Sequence, residues 1–260
     1  MITVDLEIVP DPDDSALALP FVEVTVGSVV LRALLDSGAR RTSVIRRPGM
    51  TGASGAAVGR GVFGAAMPQQ TADLPIQFAG CDLGVLRIDL VPPDQPGHGD
   101  LVGQDVLSRY RCEYRLGDGL LILNGEAPRA SQEIFLDEGS HIYAELRWPS
   151  GITARGVLDT GASVTVVGST FVEHHPDLFV PDGFSEGTDA TGNRVATAMM
   201  TMAPMTLLGS RFASSKVAVV DLSAANADLE QPMDLIVGWP ILRQGAFYVD
   251  HLARTASHRF

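Results

Sequence analysis

Two tetrapeptides, Asp36-Ser37-Gly38-Ala39 and Asp159-Thr160-Gly161-Ala162, stand 123 positions apart, each directly behind an apolar run. Their flanks agree as well. Leu34-Leu35 precede the first Asp and Val157-Leu158 the second, Thr42 and Thr165 follow at the same offset, and Val44-Ile45 and Val166-Val167 then resume an apolar run. Roughly one Asp in a hundred is followed by Ser or Thr and then Gly by chance, so two copies with matching flanks are no accident of composition. A second landmark is also paired: Leu101-Val102-Gly103 comes late in the first half, and Leu235-Ile236-Val237-Gly238 late in the second. The expectation is one unit written twice in 260 residues.

The segments between these landmarks read as short strands cut by Gly, Pro, Asp and Asn, which predicts an all-β chain. Residues 21–26 and 29–35 form an expected hairpin around Gly27-Ser28, and residues 141–148 and 152–158 repeat it around Pro149-Ser150-Gly151. Residues 2–9 begin as an alternating strand, broken by the acidic Pro-containing stretch 10–14. Residues 50–67 and 187–199 are rich in small residues; they are read either as hairpins that close over a ligand or as two solvent loops. Few helices are expected. Residues 104–111 offer Val106, Leu107 and Tyr110 on one face, and Pro240 stands where proline can open a helix. The stretch 124–132 is polar and interrupted by Pro128, so 127–132 reads as a linker between lobes at 1–126 and 133–260. Residues 247–260 are expected to return as a strand beneath the site.

The chemistry open to such a pair is acid–base. Two carboxylates about 3 Å apart cannot both ionise easily, so they share a proton, and one serves as acid while the other serves as base. Asp36 and Asp159 are the candidate catalytic pair. Gly38 and Gly161 allow the backbone to approach closely where a Cβ would collide.

Together the two Asp-Ser/Thr-Gly-Ala motifs and the two late apolar-Gly elements resemble the aspartic peptidases of the pepsin and retropepsin superfamily, over nearly the whole chain. The resemblance implies a pepsin/retropepsin-like acid protease barrel of two pseudo-symmetric lobes from an internal duplication. It implies an aspartic endopeptidase acting on an extended peptide or protein substrate, with no cofactor and no metal. It also makes Ser37 and Thr160 interlocked hydroxyls, puts the apolar residues of 101–103 and 236–238 behind the Asp loops as scaffold, and counts Ala39, Ala162, Thr42 and Thr165 as support. Arg40, Arg41 and Ser163 would lie beside the bound peptide, joined by Phe63, Ala190, Thr191 and Gly192 of the small-residue segments. The third residue after each Asp is Ala where pepsins carry Ser or Thr, and neither expected flap contains Tyr; both features are similar to retropepsins and their cellular and bacterial relatives. Retroviral proteases supply one half per chain. Here one chain supplies both, so a monomer suffices for the site. With no hydroxyl at Ala39 or Ala162 to stabilise the ionised form, the pair is predicted to keep its shared proton toward weakly acidic or neutral pH. The Arg pair also suggests a cleft that favours acidic substrate residues on one side, the alternative being local pairing of each Arg with a carboxylate.

Composition narrows the partners. A formal charge of -12 and a pI near 4.8 oppose nucleic acid or an anionic membrane. No apolar run reaches about 18 residues, residues 1–5 lack the basic and apolar regions of a secretory leader, and there are only two cysteines, Cys81 and Cys112. A reduced, cytoplasmic protein is expected. His174-His175 lacks a spaced carboxylate or Cys cluster and reads as a surface loop, the Gly-rich segment 49–64 lacks a P-loop ending, and no G-x-S-x-G marks a serine nucleophile. Met199, Met200, Met202 and Met205 read as core or flap-base packing. The rival reading is a non-catalytic peptide-binding or assembly protein on the same fold. A third is a regulatory peptidase acting on one partner or on its own linker.

Overall fold

The hairpin at the start of each half shows how local sequence sets the frame. Strand Ala18–Val26 pairs antiparallel with Val29–Leu35, and Val22, Val24 and Val26 alternate into the core. The turn is closed by Gly27, whose φ of 63° a residue with a Cβ adopts at a cost. In the second half, Ile142–Arg147 pairs with Thr153–Leu158 around Gly151, at φ 86°. These coordinates are a computed structural model, which describes the chain except residues 49, 51–52, 61–65, 96–98, 189–193 and 228.

Each hairpin then receives a parallel neighbour from far along the chain. Leu34 and Leu35 lie beside Leu101 and Val102, and Val157 and Leu158 lie beside Ile236 and Val237. The strands Ser43–Ile45 and Thr165–Gly168 pack on the other side of these elements. Leu35, Val44 and Val102 are buried, as are Leu158, Val167 and Val237, and all six belong to one hydrophobic core. Burying a Val or Leu contributes about 1.5–3 kcal/mol, so this row anchors both loops that follow the strands.

Among the described residues the strands form three sheets, and the α-helices are short, of four to six residues. An eight-stranded sheet belongs to the first half and a ten-stranded sheet to the second. The third has six strands in the order Ile2–Asp5, Leu120–Leu123, Arg111–Arg115, Ala246–Asp250, Thr255–Arg259, Gln132–Glu133, and so interleaves the two halves. The protein is all-β, and among the described residues no helix is long and apolar enough to cross a membrane.

Several elements differ from expectation. Residues 2–9 divide at Leu6, where the buried side chain and a Leu6 N–H bond to the Gly119 carbonyl (2.8 Å) turn the chain from one sheet into another. For the small-residue segments, by contrast, the hairpin reading agrees with the structure and the solvent-loop reading does not: Ala53–Arg60 pairs with Ala66–Phe78, and Phe179–Thr188 with Arg194–Met202. The C-terminal segment forms a hairpin, Ala246–Asp250 with Thr255–Arg259. Short helices occur at Gln104–Leu107 and at Trp239–Leu242, where Pro240 lies in the first turn. His174 is exposed at the end of a helix, Ser169–His174, rather than in a loop, and His175, in the connection before Pro176, is half-buried with its ring 4.7 Å from that of Phe171.

Candidate active site

The two Asp loops meet back to back through their hydroxyl residues. Ser37 N–H donates to Thr160 Oγ1 (3.0 Å) and Thr160 N–H to Ser37 Oγ (3.0 Å). Each hydroxyl then donates across the junction, Ser37 Oγ to the Leu158 carbonyl (2.8 Å) and Thr160 Oγ1 to the Leu35 carbonyl (2.5 Å). A hydroxyl is the smallest group that accepts and donates at once, and here both capacities are used. Ser37 and Thr160 are 1% and 2% exposed, so water offers neither group a substitute.

The late Gly elements hold each loop from behind. Asp36 N–H donates to the Val102 carbonyl and Asp159 N–H to that of Val237, both at 3.0 Å. Gly103 N–H donates to Thr42 Oγ1 and Gly238 N–H to Thr165 Oγ1, both at 3.1 Å, so the two threonines are struts between the Asp loop and the element behind it. The chain then closes on the Ala carbonyls: Gln104 N–H to Ala39 (2.8 Å) and Trp239 N–H to Ala162 (2.9 Å). A Cβ on Gly103 would stand 2.6 Å from the Arg41 carbonyl carbon, and one on Gly238 would collide with the Val164 backbone.

The halves diverge just after this point. Gln104 Nε2 donates to the Ser37 carbonyl (2.7 Å), and the Asp105 carboxylate accepts from both Thr42 N–H (2.8 Å) and Thr42 Oγ1 (2.7 Å). Trp239 and Pro240 hold the matching places in the second half. Sequence reading missed Gln104 and Asp105 as site residues. The available signal was their position directly after Gly103, where the backbone passes beneath the loop.

The carboxyls themselves face each other. Asp36 Oδ1 accepts from Gly38 N–H (2.9 Å) and Asp159 Oδ1 from Gly161 N–H (2.8 Å). A Cβ on Gly161 would stand 2.5 Å from Asp36 Cγ, and one on Gly38 would collide with the Asp159 carboxyl, so the two glycines are what let the pair close. A side-chain hydrogen bond joins Asp36 to Asp159. Burial, then the Asp159 charge, then this hydrogen bond push the Asp36 carboxyl well above the usual carboxylate range. Burial also pushes Asp159 up, against the lowering effects of Gly161 N–H, the hydrogen bond to Asp36 and the charge of His141. His141, whose Nδ1 lies 2.7 Å from Asp137 Oδ2, is a further residue that sequence reading missed, since no motif leads to it.

Raised carboxyl pKa values fix a sign for stability. The native pair binds a proton that the unfolded chain releases near pH 4, so the stability linked to that proton is complete below this value and is lost as pH rises through the raised one. Asp36→Asn is therefore expected to gain stability relative to the native chain progressively from about pH 4 to 7. Urea unfolding midpoints for the two proteins across that range measure it, and parallel curves would overturn it.

The remaining residues expected at the site are distributed unevenly. Ala39, Ala162 and Ser163 are half-buried within or beside the loops. Arg40 is exposed, whereas Arg41 Nη1 is paired with Asp89 Oδ1 at 2.8 Å. Phe63, Ala190, Thr191 and Gly192 lie outside the described residues. Met202 and Met205 are in the main core, and Met199 belongs to a separate apolar cluster with Val166, Ala218 and Ile236. Among the described residues no group of three or more His, Cys, Asp or Glu is placed to hold a metal ion. No family model matches this chain, and no curated protein matches it.

Proposed function

We propose that this chain is an aspartic endopeptidase, with a pepsin/retropepsin-like acid protease barrel whose two halves arose by internal duplication. The observation that carries the reading is the direct contact of the Asp36 and Asp159 carboxyls at a junction built from four reciprocal hydrogen bonds. Two buried carboxyls in contact lower the stability of a fold, so a scaffold with no use for their shared proton gains nothing from them.

In this reading a water molecule lies between the two carboxyls. The ionised one takes its proton as the oxygen attacks the peptide carbonyl carbon, and the protonated one donates to the carbonyl oxygen. Collapse of the tetrahedral diol breaks the C–N bond, and the leaving nitrogen takes up a proton from the pair. The hairpins Ala53–Arg60 with Ala66–Phe78 and Phe179–Thr188 with Arg194–Met202 would cover an extended peptide, held through its backbone as an added strand. The chemistry needs no cofactor, and one chain supplies both carboxyls.

The test is cleavage of a diverse peptide library from pH 3 to 8 by the native protein, Asp36→Asn and Asp159→Asn. Cleavage by the native protein alone, active in weakly acidic to neutral solution, is expected. Equal behaviour of all three would sink the peptidase reading, and binding without cleavage would turn it into that of a peptide-binding protein.

A further inference from the structure

The two halves pair their strands in the same register, which gives each position near the Asp loops a counterpart. In the first half Leu101 lies opposite Ser43, Ser43 opposite Asp89, and Asp89 opposite Thr71. In the second half Ile236 lies opposite Val166, Val166 opposite Ala218, and Ala218 opposite Met199. Arg41 and Val164 hold the same offset from their respective Asp. Polar Ser43, Asp89, Thr71 and Arg41 are thus matched by apolar Val166, Ala218, Met199 and Val164.

Strand alternation places both rows on the same side as the carboxyls. Val44 and Val102 enter the main core, so their neighbours Ser43 and Leu101 face the opposite way; Val167 and Val237 do the same in the second half, leaving Val166 and Ile236 outward. Asp36 and Asp159 follow the core residues Leu35 and Leu158 and share that outward face. On the second-half side the row is a small apolar cluster separate from the main core, with Ala162 and Val164 packed against it. On the first-half side the Arg41 guanidinium is bonded to Asp89, and the charge of Arg40 acts on the same carboxylate. Arg40 is exposed and makes no ion pair among the described residues. Asp105, the other carboxylate near Arg41, is taken up by Thr42 on the buried side. One guanidinium therefore remains free to meet a ligand.

We infer that the two sides of the cleft select opposite chemistries: an acidic side chain against Arg40, and a branched or unbranched aliphatic side chain against Val164, the half-buried edge of the cluster formed by Val166, Met199, Ala218 and Ile236. The preferred substrate is a peptide that changes from acidic to aliphatic across the site. This inference rests on the peptidase reading for where the peptide lies, and its test separates the two.

Matched short extended peptides, differing only in Glu or Leu on either side of the centre, are assayed for cleavage by the native protein and for binding to Asp36→Asn by fluorescence anisotropy. The peptide with one Glu side and one Leu side is expected to exceed the Leu-Leu peptide by about tenfold in both assays, a difference of about 1.4 kcal/mol. The double variant Arg41→Val with Asp89→Ala removes a charge pair of no net charge, leaves Arg40 in place, and is expected to keep most of that preference. Arg40→Ala, which removes the one guanidinium of the two with no ion pair among the described residues, is expected to cut it from about tenfold to about twofold. Cleavage or binding with no side preference, or a preference unchanged in Arg40→Ala, would overturn the inference and leave the peptidase reading standing. Preferential binding without any cleavage would do the reverse.

Discussion

Asp36→Asn and Asp159→Asn are each expected to lower the rate of peptide cleavage by about 10³-fold or more, with the fold retained. The carboxamide has no proton to release to the substrate and no basic oxygen strong enough to deprotonate water, and a positioned acid or base contributes typically about 10²–10⁴-fold. Because the pair acts as one unit, the double variant is expected to be no worse than the weaker single one. Retention of the fold follows from the contacts: an Asn oxygen at position 36 or 159 still accepts from Gly38 or Gly161 N–H. Loss of activity with stability unchanged or raised at neutral pH is the pattern expected of a catalytic pair. Loss of both together would point to a structural role.

Thr160→Val is expected to cost roughly 2–5 kcal/mol of stability, because it keeps the shape of the side chain and removes only the oxygen. That oxygen accepts from Ser37 N–H and donates to the Leu35 carbonyl, and both groups are left buried without a partner. An orphaned buried polar group costs about 1–3 kcal/mol. In a chain of this size each kcal/mol lowers the midpoint by about 2–4 °C, so a fall on the order of 10 °C is the expected calorimetric result. Ser37→Ala should match it, since Thr160 N–H and the Leu158 carbonyl lose the corresponding partner. Thr165→Val removes the acceptor of Gly238 N–H alone among the bonds described above and should cost less. A fall of only a degree or two for Thr160→Val would show that the junction is held by packing rather than by its hydroxyls.

The parts of this molecule that were legible in the sequence are those with local punctuation. Gly27 and Gly151 announce their hairpins because positive φ is needed there, and Pro240 announces a helix start. The Asp motifs were legible because the junction of the two loops needs a hydroxyl and then a glycine at fixed places after each Asp. Pairings made over long distances carry no such mark: nothing near Arg111–Arg115 says that its neighbour will be Ala246–Asp250. The small residues of Ala53–Arg60 favour turns by propensity, yet a long partner strand overrides them. Gln104 and His141 act on the site through a carbonyl and a charge, which no spacing rule records.

The interleaved six-stranded sheet bears on how the molecule comes into being. Arg111–Arg115 has Leu120–Leu123 on one side from the start, but its other edge stays open until Ala246–Asp250 has been synthesised and reaches it. Closure over so long a span is entropically slow and comes late. The first half alone is therefore a molecule with a bare strand edge and only one of the two carboxyls that face each other in the finished fold.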